Sequence, residues 1–191
     1  MMPGGHLATS VALAAGVYAL TGSMELTAGC VLGGFLIDVD HYVDYLFFEG
    51  QWRKPGPASF LRYYFTQKPN RLVLPLHSIE LMTILAVTAA VKTIPVLTGY
   101  LLGAALHLVF DIIVNGDHIL KRRIAFYSFA YRATQRFSAA NLLDEVTIPP
   151  ETGARPFREF FTWCPPEEKV KREPAGDGLN RGECCAAEDE L

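Results

Sequence analysis

Residues 72–114 read LVLPLHSIELMTILAVTAAVKTIPVLTGYLLGAALHLVFDIIV. Two apolar runs, 72–91 and 94–114, are separated by Lys92-Thr93 and followed closely by Pro95. Each is about 20 residues long, enough for a helix to cross roughly 30 Å of hydrocarbon. The Lys-Thr-Ile-Pro junction favours a tight turn, so the stretch predicts an antiparallel helical hairpin. Neither run is purely apolar. His77 and Glu80 interrupt the first, and His107 and Asp111 the second.

Upstream, residues 7–39 form another apolar stretch, too long for one span and short for two. Gly22-Ser23 and Glu25 break it near the middle. Helices over 7–21 and 26–38 are expected, each roughly 20–24 Å long. They fit two thin or tilted spans, or a re-entrant hairpin. Small residues (Ala8, Ala12, Ala15, Gly16, then Gly29, Gly33 and Gly34) permit close helix packing. No Lys or Arg precedes the first run, so it reads as retained rather than as a cleaved signal peptide. The expected fold class is an all-α membrane protein: a bundle of four transmembrane helices, two of them short, plus interfacial amphipathic helices.

The length of 191 residues allows one domain. Residues 1–148 are expected to form a helical membrane domain, and 149–191 a polar cytoplasmic tail that is largely disordered. Net charge of −3 gives no sign of nucleic-acid binding. Cys30, Cys164 and the vicinal Cys184-Cys185 outline neither a disulfide framework nor a zinc ribbon. With the N-terminus inside, sixteen of the seventeen basic residues fall on one side and only Lys92 on the other. That bias predicts a multi-pass protein of the inner membrane with both termini cytoplasmic.

The same topology carries the histidines to one face. His6 opens the first helix, while Asp38, Asp40 and His41 close the second. His77 lies near the start of the third, and His107 and Asp111 near the end of the fourth, with His118 just beyond. His107 and Asp111 are four apart, hence on one helical face, and can grip one ion. His77 and Glu80, three apart, also share a face, and Glu80 can serve as a ligand or orient His77. Buried ionisable groups among apolar helices are costly unless paired or metal-bound, so a shared metal site is expected.

Ile37-Asp38-Val39-Asp40-His41, His77-Ser78, and Gly103 with His107-Leu-Val-Phe-Asp111 resemble the pattern of the bacterial inner-membrane metal-dependent hydrolase family. That family is distantly similar to zinc-dependent phospholipase C. The likeness covers residues 1 to about 120 and includes the early His6. It implies a hydrolase with a divalent metal, zinc by the likeness, held by His6, Asp38, Asp40, His41, His77, His107 and Asp111. Leu72 stands where the family often has a further histidine, and Leu76 where it has threonine.

The resulting expectation is a metal-dependent hydrolase at the membrane surface, acting on a phospholipid or another phosphoester. Asp40 or Glu80 is the expected proton acceptor. The aromatic and basic residues of 42–71 read as an interfacial lid among membrane lipid, with Arg53 and Arg71 placed to attract a phosphate. The alternating residues of 119–137 read as an amphipathic surface helix. Two alternatives stand beside this: a non-catalytic membrane protein with a structural metal, or a protein that transports or senses a divalent metal. A metal-free hydrogen-bonded cluster is a third. A closed, fully liganded ion favours the structural role, and an open coordination position favours hydrolysis.

Overall fold

Glycines bring two helices into bare backbone contact. In α2 (Met24–Gly34), Gly29 and Gly33 lie four apart on one face, as do Gly99 and Gly103 in α6 (Pro95–Val114). A Cβ on Gly29 would fall 2.1 Å from the Val96 carbonyl oxygen, and one on Gly33 would fall 1.9 Å from that of Tyr100. A Cβ on Gly103 would meet the Cys30 carbonyl oxygen at 2.2 Å. Only hydrogen fits at these positions, which lets the backbones touch. The α2–α6 contact is the most extensive among the described elements.

The computed structural model describes residues 3–66, 69–114 and 120–144. α1 (Pro3–Thr21) turns at Gly22 (φ +65) and packs against α2, burying His6, Ser10 and Ala14 at four-residue intervals. Ser23 caps α2, its hydroxyl accepting from the Leu26 amide at 3.3 Å. After Gly34 the chain changes direction through a 3-10 turn (Leu36–Asp38), a short α3 (Val39–Val43) and a π turn (Asp44–Phe48). α4 (Pro57–Thr66) follows, then a 3-10 turn at Pro75–His77, then α5 (Ile79–Lys92). Thr93, left-handed at φ 46, ends α5 just before Pro95 opens α6. A 3-10 turn (Ala125–Tyr127), α7 (Phe129–Thr134) and α8 (Ala139–Leu142) complete the described elements. They build a small second core in which Leu72, Leu74, Leu120, Phe126, Tyr127 and Leu142 are buried together.

The protein is mostly helical, but it is not a bundle of four spans. Among the described residues, only Pro95–Ile113 is long and apolar enough to cross a membrane by itself, and it is partly buried inside the protein. Met24–Gly34 and Leu36–Phe48 pass the same test only as a pair bent by 46°. α2 has 11 residues and α5 has 14. At 1.5 Å per residue they reach about 16 and 21 Å, short of the roughly 30 Å required. α1 has 19 residues, but Gly4, Gly5, His6, Thr9 and Ser10 dilute its apolar character. The multi-pass inner-membrane placement, with both termini cytoplasmic, rested on four spans and falls with them.

Two local expectations change for identifiable reasons. The helix expected from 72 starts only at Ile79, because Leu74 is left-handed (φ 43, ψ 60) and Ser78 then caps a new start. The surface helix expected over 119–137 is instead a 3-10 turn and a six-residue α7, separated by the extended Ser128. His118 and residues 149–191, with Cys164 and Cys184-Cys185, lie outside the described residues.

Candidate metal centre

Four segments far apart in sequence each deliver a ligand. α6 supplies His107 and Asp111 from one face, one turn apart. The break after Gly34 turns Asp38 and His41 inward, three residues apart. α1 supplies His6, and the 3-10 turn before α5 supplies His77. His6, His77 and His107 are all buried.

His77 is held by an unusual piece of backbone. Asp40 accepts from the Leu76 amide at 3.0 Å and from His77 Nδ1 at 3.0 Å. Asp44 accepts from the amides of Val73 and Leu74 at 2.7 and 3.3 Å. Arg132, wholly buried, donates from Nη2 to the Leu74 carbonyl at 2.9 Å. A left-handed leucine costs energy, and these three side chains hold it in place. Burial raises the Asp44 carboxyl to about 6, against the pull of the two backbone donors.

The central atoms lie close together. His77 Nε2 and His107 Nε2 are 3.2 Å apart. Asp38 Oδ1 is 3.4 Å from each of them. Asp111 Oδ2 is 3.3 Å from His107 Nε2 and 4.0 Å from His77 Nε2. A tetrahedral zinc site with bonds of about 2.0–2.1 Å has donor atoms about 3.3–3.4 Å apart. His6 Nε2 flanks the set 3.1 Å from Asp111 Oδ1, and His41 Nε2 lies 3.8 Å from Asp38 Oδ1. Two groups, His6-His107-Asp111 and Asp38-His41-His77, can each hold a divalent metal ion.

Hydrogen bonding tests whether an ion fits. The Gly34 carbonyl can only accept, so His107 Nδ1, 2.8 Å away, carries the hydrogen and Nε2 presents a lone pair. His77 donates its Nδ1 hydrogen to Asp40 in the same way. With these tautomers two imidazole lone pairs face each other beside two carboxylates, an arrangement that suits a cation. Carboxylate and carbonyl partners on the far nitrogens are what metal-ligating histidines usually have. Without an ion, a proton takes that place. Burial opposes the charge on His77, but Asp40 and Asp38 outweigh it and push its pKa up to about 10.

The residues singled out in the sequence divide clearly. His6, Asp38, His41, His77, His107 and Asp111 come together, and Asp40 stands behind His77. Glu80 lies elsewhere. Its carboxylate accepts from the Ser128 hydroxyl at 2.6 Å and from the amides of Phe129 and Ala130 at 2.8 and 3.1 Å, capping α7. Those bonds hold its pKa down at about 2 against the opposing effect of burial. Arg53 stacks on Trp52 at 4.9 Å. Arg71 lines a cavity of about 900 Å³ that Asp38, His41, His77 and Asp111 also line. Asp44 and Arg132 were not singled out. Asp44 follows Asp40 by one helical turn, a usable signal, whereas nothing near Arg132 in the sequence marks it.

No family model matches the chain, nor does any curated protein or solved structure.

Proposed function

We propose that the protein holds a zinc ion that ties its helices together, a structural centre rather than a site of turnover. The observation that supports this most is the cluster of His77, His107 and Asp38, whose donor atoms lie 3.2–3.4 Å apart as in a tetrahedral zinc site, with Asp111 Oδ2 3.3 Å from His107 and 4.0 Å from His77. Imidazole donors suit zinc, and carboxylate oxygens are also accepted zinc ligands. The ion would pin α6, the 3-10 turn before α5 and the break after α2 to one point. Elemental analysis of the purified protein, with thermal unfolding before and after chelation, tests this. About one zinc per chain and a fall in Tm on its removal are expected. Zinc-free protein with an unchanged Tm would sink the idea.

A second function, metal-dependent hydrolysis of a phospholipid or another phosphoester, is favoured by one observation: the cavity reaches the cluster. The short motifs resembling the metal-dependent hydrolase family point the same way. A bound zinc ion supplies Lewis-acid activation of water and of a phosphoryl oxygen. Asp38 and His41 are the most exposed of the clustered groups, with 26% and 18% of their side chains accessible. His41 would take up and pass on the proton, while Asp40 keeps His77 oriented and Arg71 meets the phosphate at the cavity wall. Turnover of a phosphodiester panel by zinc-loaded protein, lost in Asp38→Asn, is the expected result. A zinc-replete protein inert toward the whole panel leaves only the structural role.

A further inference from the structure

The cavity is more than an opening onto the metal cluster. Its walls are aromatic and aliphatic, with Tyr45, Phe60, Tyr64, Leu72, Leu74 and Phe126 all contributing. Its volume of about 900 Å³ falls in the range of about 300–1,000 Å³ typical of small-molecule sites. A file of rings joins the wall to the cluster. Tyr45 meets Phe60 edge-on at 5.5 Å, and Phe60 meets Tyr64 at 5.9 Å. Tyr64 stands edge-on to His41 at 5.3 Å, and His41 to His77 at 5.2 Å. A chain of ring contacts therefore runs from the wall to the imidazoles at the inner end.

Resting on the zinc centre proposed above, we infer that this cavity binds one amphiphile with a single apolar body and an oxyanion head. The body lies between the Tyr45-Phe60-Tyr64 wall and the Leu72-Leu74-Phe126 wall. The head reaches the inner end, where Asp38, His41 and Asp111 face the cavity. Apolar walls open to the cavity gain from an apolar guest in proportion to the area covered. A phosphate, phosphonate or carboxylate is the head that suits an ion held at that end. The volume accommodates one ligand of drug-like size, not several.

Calorimetric titration of the zinc-loaded full chain tests this with two probe series. n-Alkylphosphonates from ethyl to decyl carry a metal-binding head, and n-alkanols of the same lengths carry none. Each buried methylene contributes about 0.8 kcal/mol, roughly fourfold in affinity, until the chamber is filled. Affinity should rise at least tenfold from the ethyl to the hexyl member in both series. The phosphonates should bind more tightly than the alkanols only while zinc is present. Phe60→Ala should reduce the gain with chain length and leave zinc content unchanged. The alkanols read the chamber even in zinc-stripped protein, so a failed metal centre is told apart from a failed chamber. Chain-length independence in both series overturns the proposal, and so does a gain that Phe60→Ala leaves intact.

Discussion

His77 and His107 aim their Nε2 atoms at each other across 3.2 Å, while Asp40 and the Gly34 carbonyl occupy the opposite nitrogens. Each ring is fixed from behind, so neither can turn away without giving up a buried hydrogen bond. Replacing His107 with alanine removes one vertex of the cage. His107→Ala should lose bound zinc, measured by elemental analysis. Chelator should lower the Tm of the parent protein and leave that of the variant unmoved. A variant that keeps its zinc would place the ion elsewhere.

At the Nε2 atoms of His77 and His107, a divalent ion and a proton would compete for the same space. Free of metal, His77 has a pKa of about 10, raised from its ordinary 6.5 by Asp40 and Asp38 against burial. A histidine raised on folding stabilises the metal-free fold fully below about pH 6.5, and that contribution is lost as pH rises through about 10. Zinc binding at pH 8 should therefore release at least one proton per chain. Calorimetry in two buffers of different ionisation enthalpy reads this number directly, and a value of zero contradicts the protonated metal-free state.

Arg132 acts on the centre without touching it. Its bond to the Leu74 carbonyl steadies the left-handed turn that presents His77. Arg132→Met should cost about 1–3 kcal/mol of stability by denaturant unfolding, the usual loss when a buried carbonyl goes unpaired. It should also weaken zinc affinity about 10- to 100-fold, as losses behind a ligand commonly do. Equal zinc affinity in the two proteins would show that the turn holds by itself.

Glycines predict opposite signs in neighbouring helices. Gly33→Ala places a methyl group where the Tyr100 carbonyl already lies, so α2 and α6 must part. A loss of at least about 3 kcal/mol is expected, at the upper end of overpacking costs. Gly16 in α1 has nothing within 4 Å of its ideal Cβ. Gly16→Ala should stabilise by about 0.5–1 kcal/mol through helix propensity alone. Thermal melts of both variants decide the matter.

Glu80 caps α7 as a carboxylate, its pKa lowered from 4.5 to about 2 by its donors. A carboxyl depressed on folding contributes stability above its unfolded pKa and loses it as pH falls through the folded value. The Tm gap between the parent protein and Glu80→Gln should be full above about pH 5 and close toward pH 2. A gap independent of pH would mean that charge is not what the cap supplies.

Much of the centre was legible in the sequence, and the span count was not. Histidines and carboxylates at the ends of apolar runs pointed to a meeting place, and six of the seven expected ligands converge there, with Asp40 behind them. Hydropathy reads composition, yet Leu74 breaks its run by backbone conformation, which composition does not record. Glu80 illustrates a second limit. Its three-residue spacing from His77 presumed one continuous helix, but Ser78 starts α5 between them, so the two side chains diverge. Arg132 illustrates a third, since its role depends on a chain crossing 58 residues away in sequence.

The bond from His107 to the Gly34 carbonyl spans 73 residues, and that from His6 to Asp111 spans 105. During synthesis, His6, Asp38 and His41 therefore emerge long before α6 exists to receive them. An ion meeting the unfinished chain finds no cage, only scattered donors. The centre is thus a record of completed assembly: a divalent ion held there would mark a chain whose α2 and α6 have already found each other.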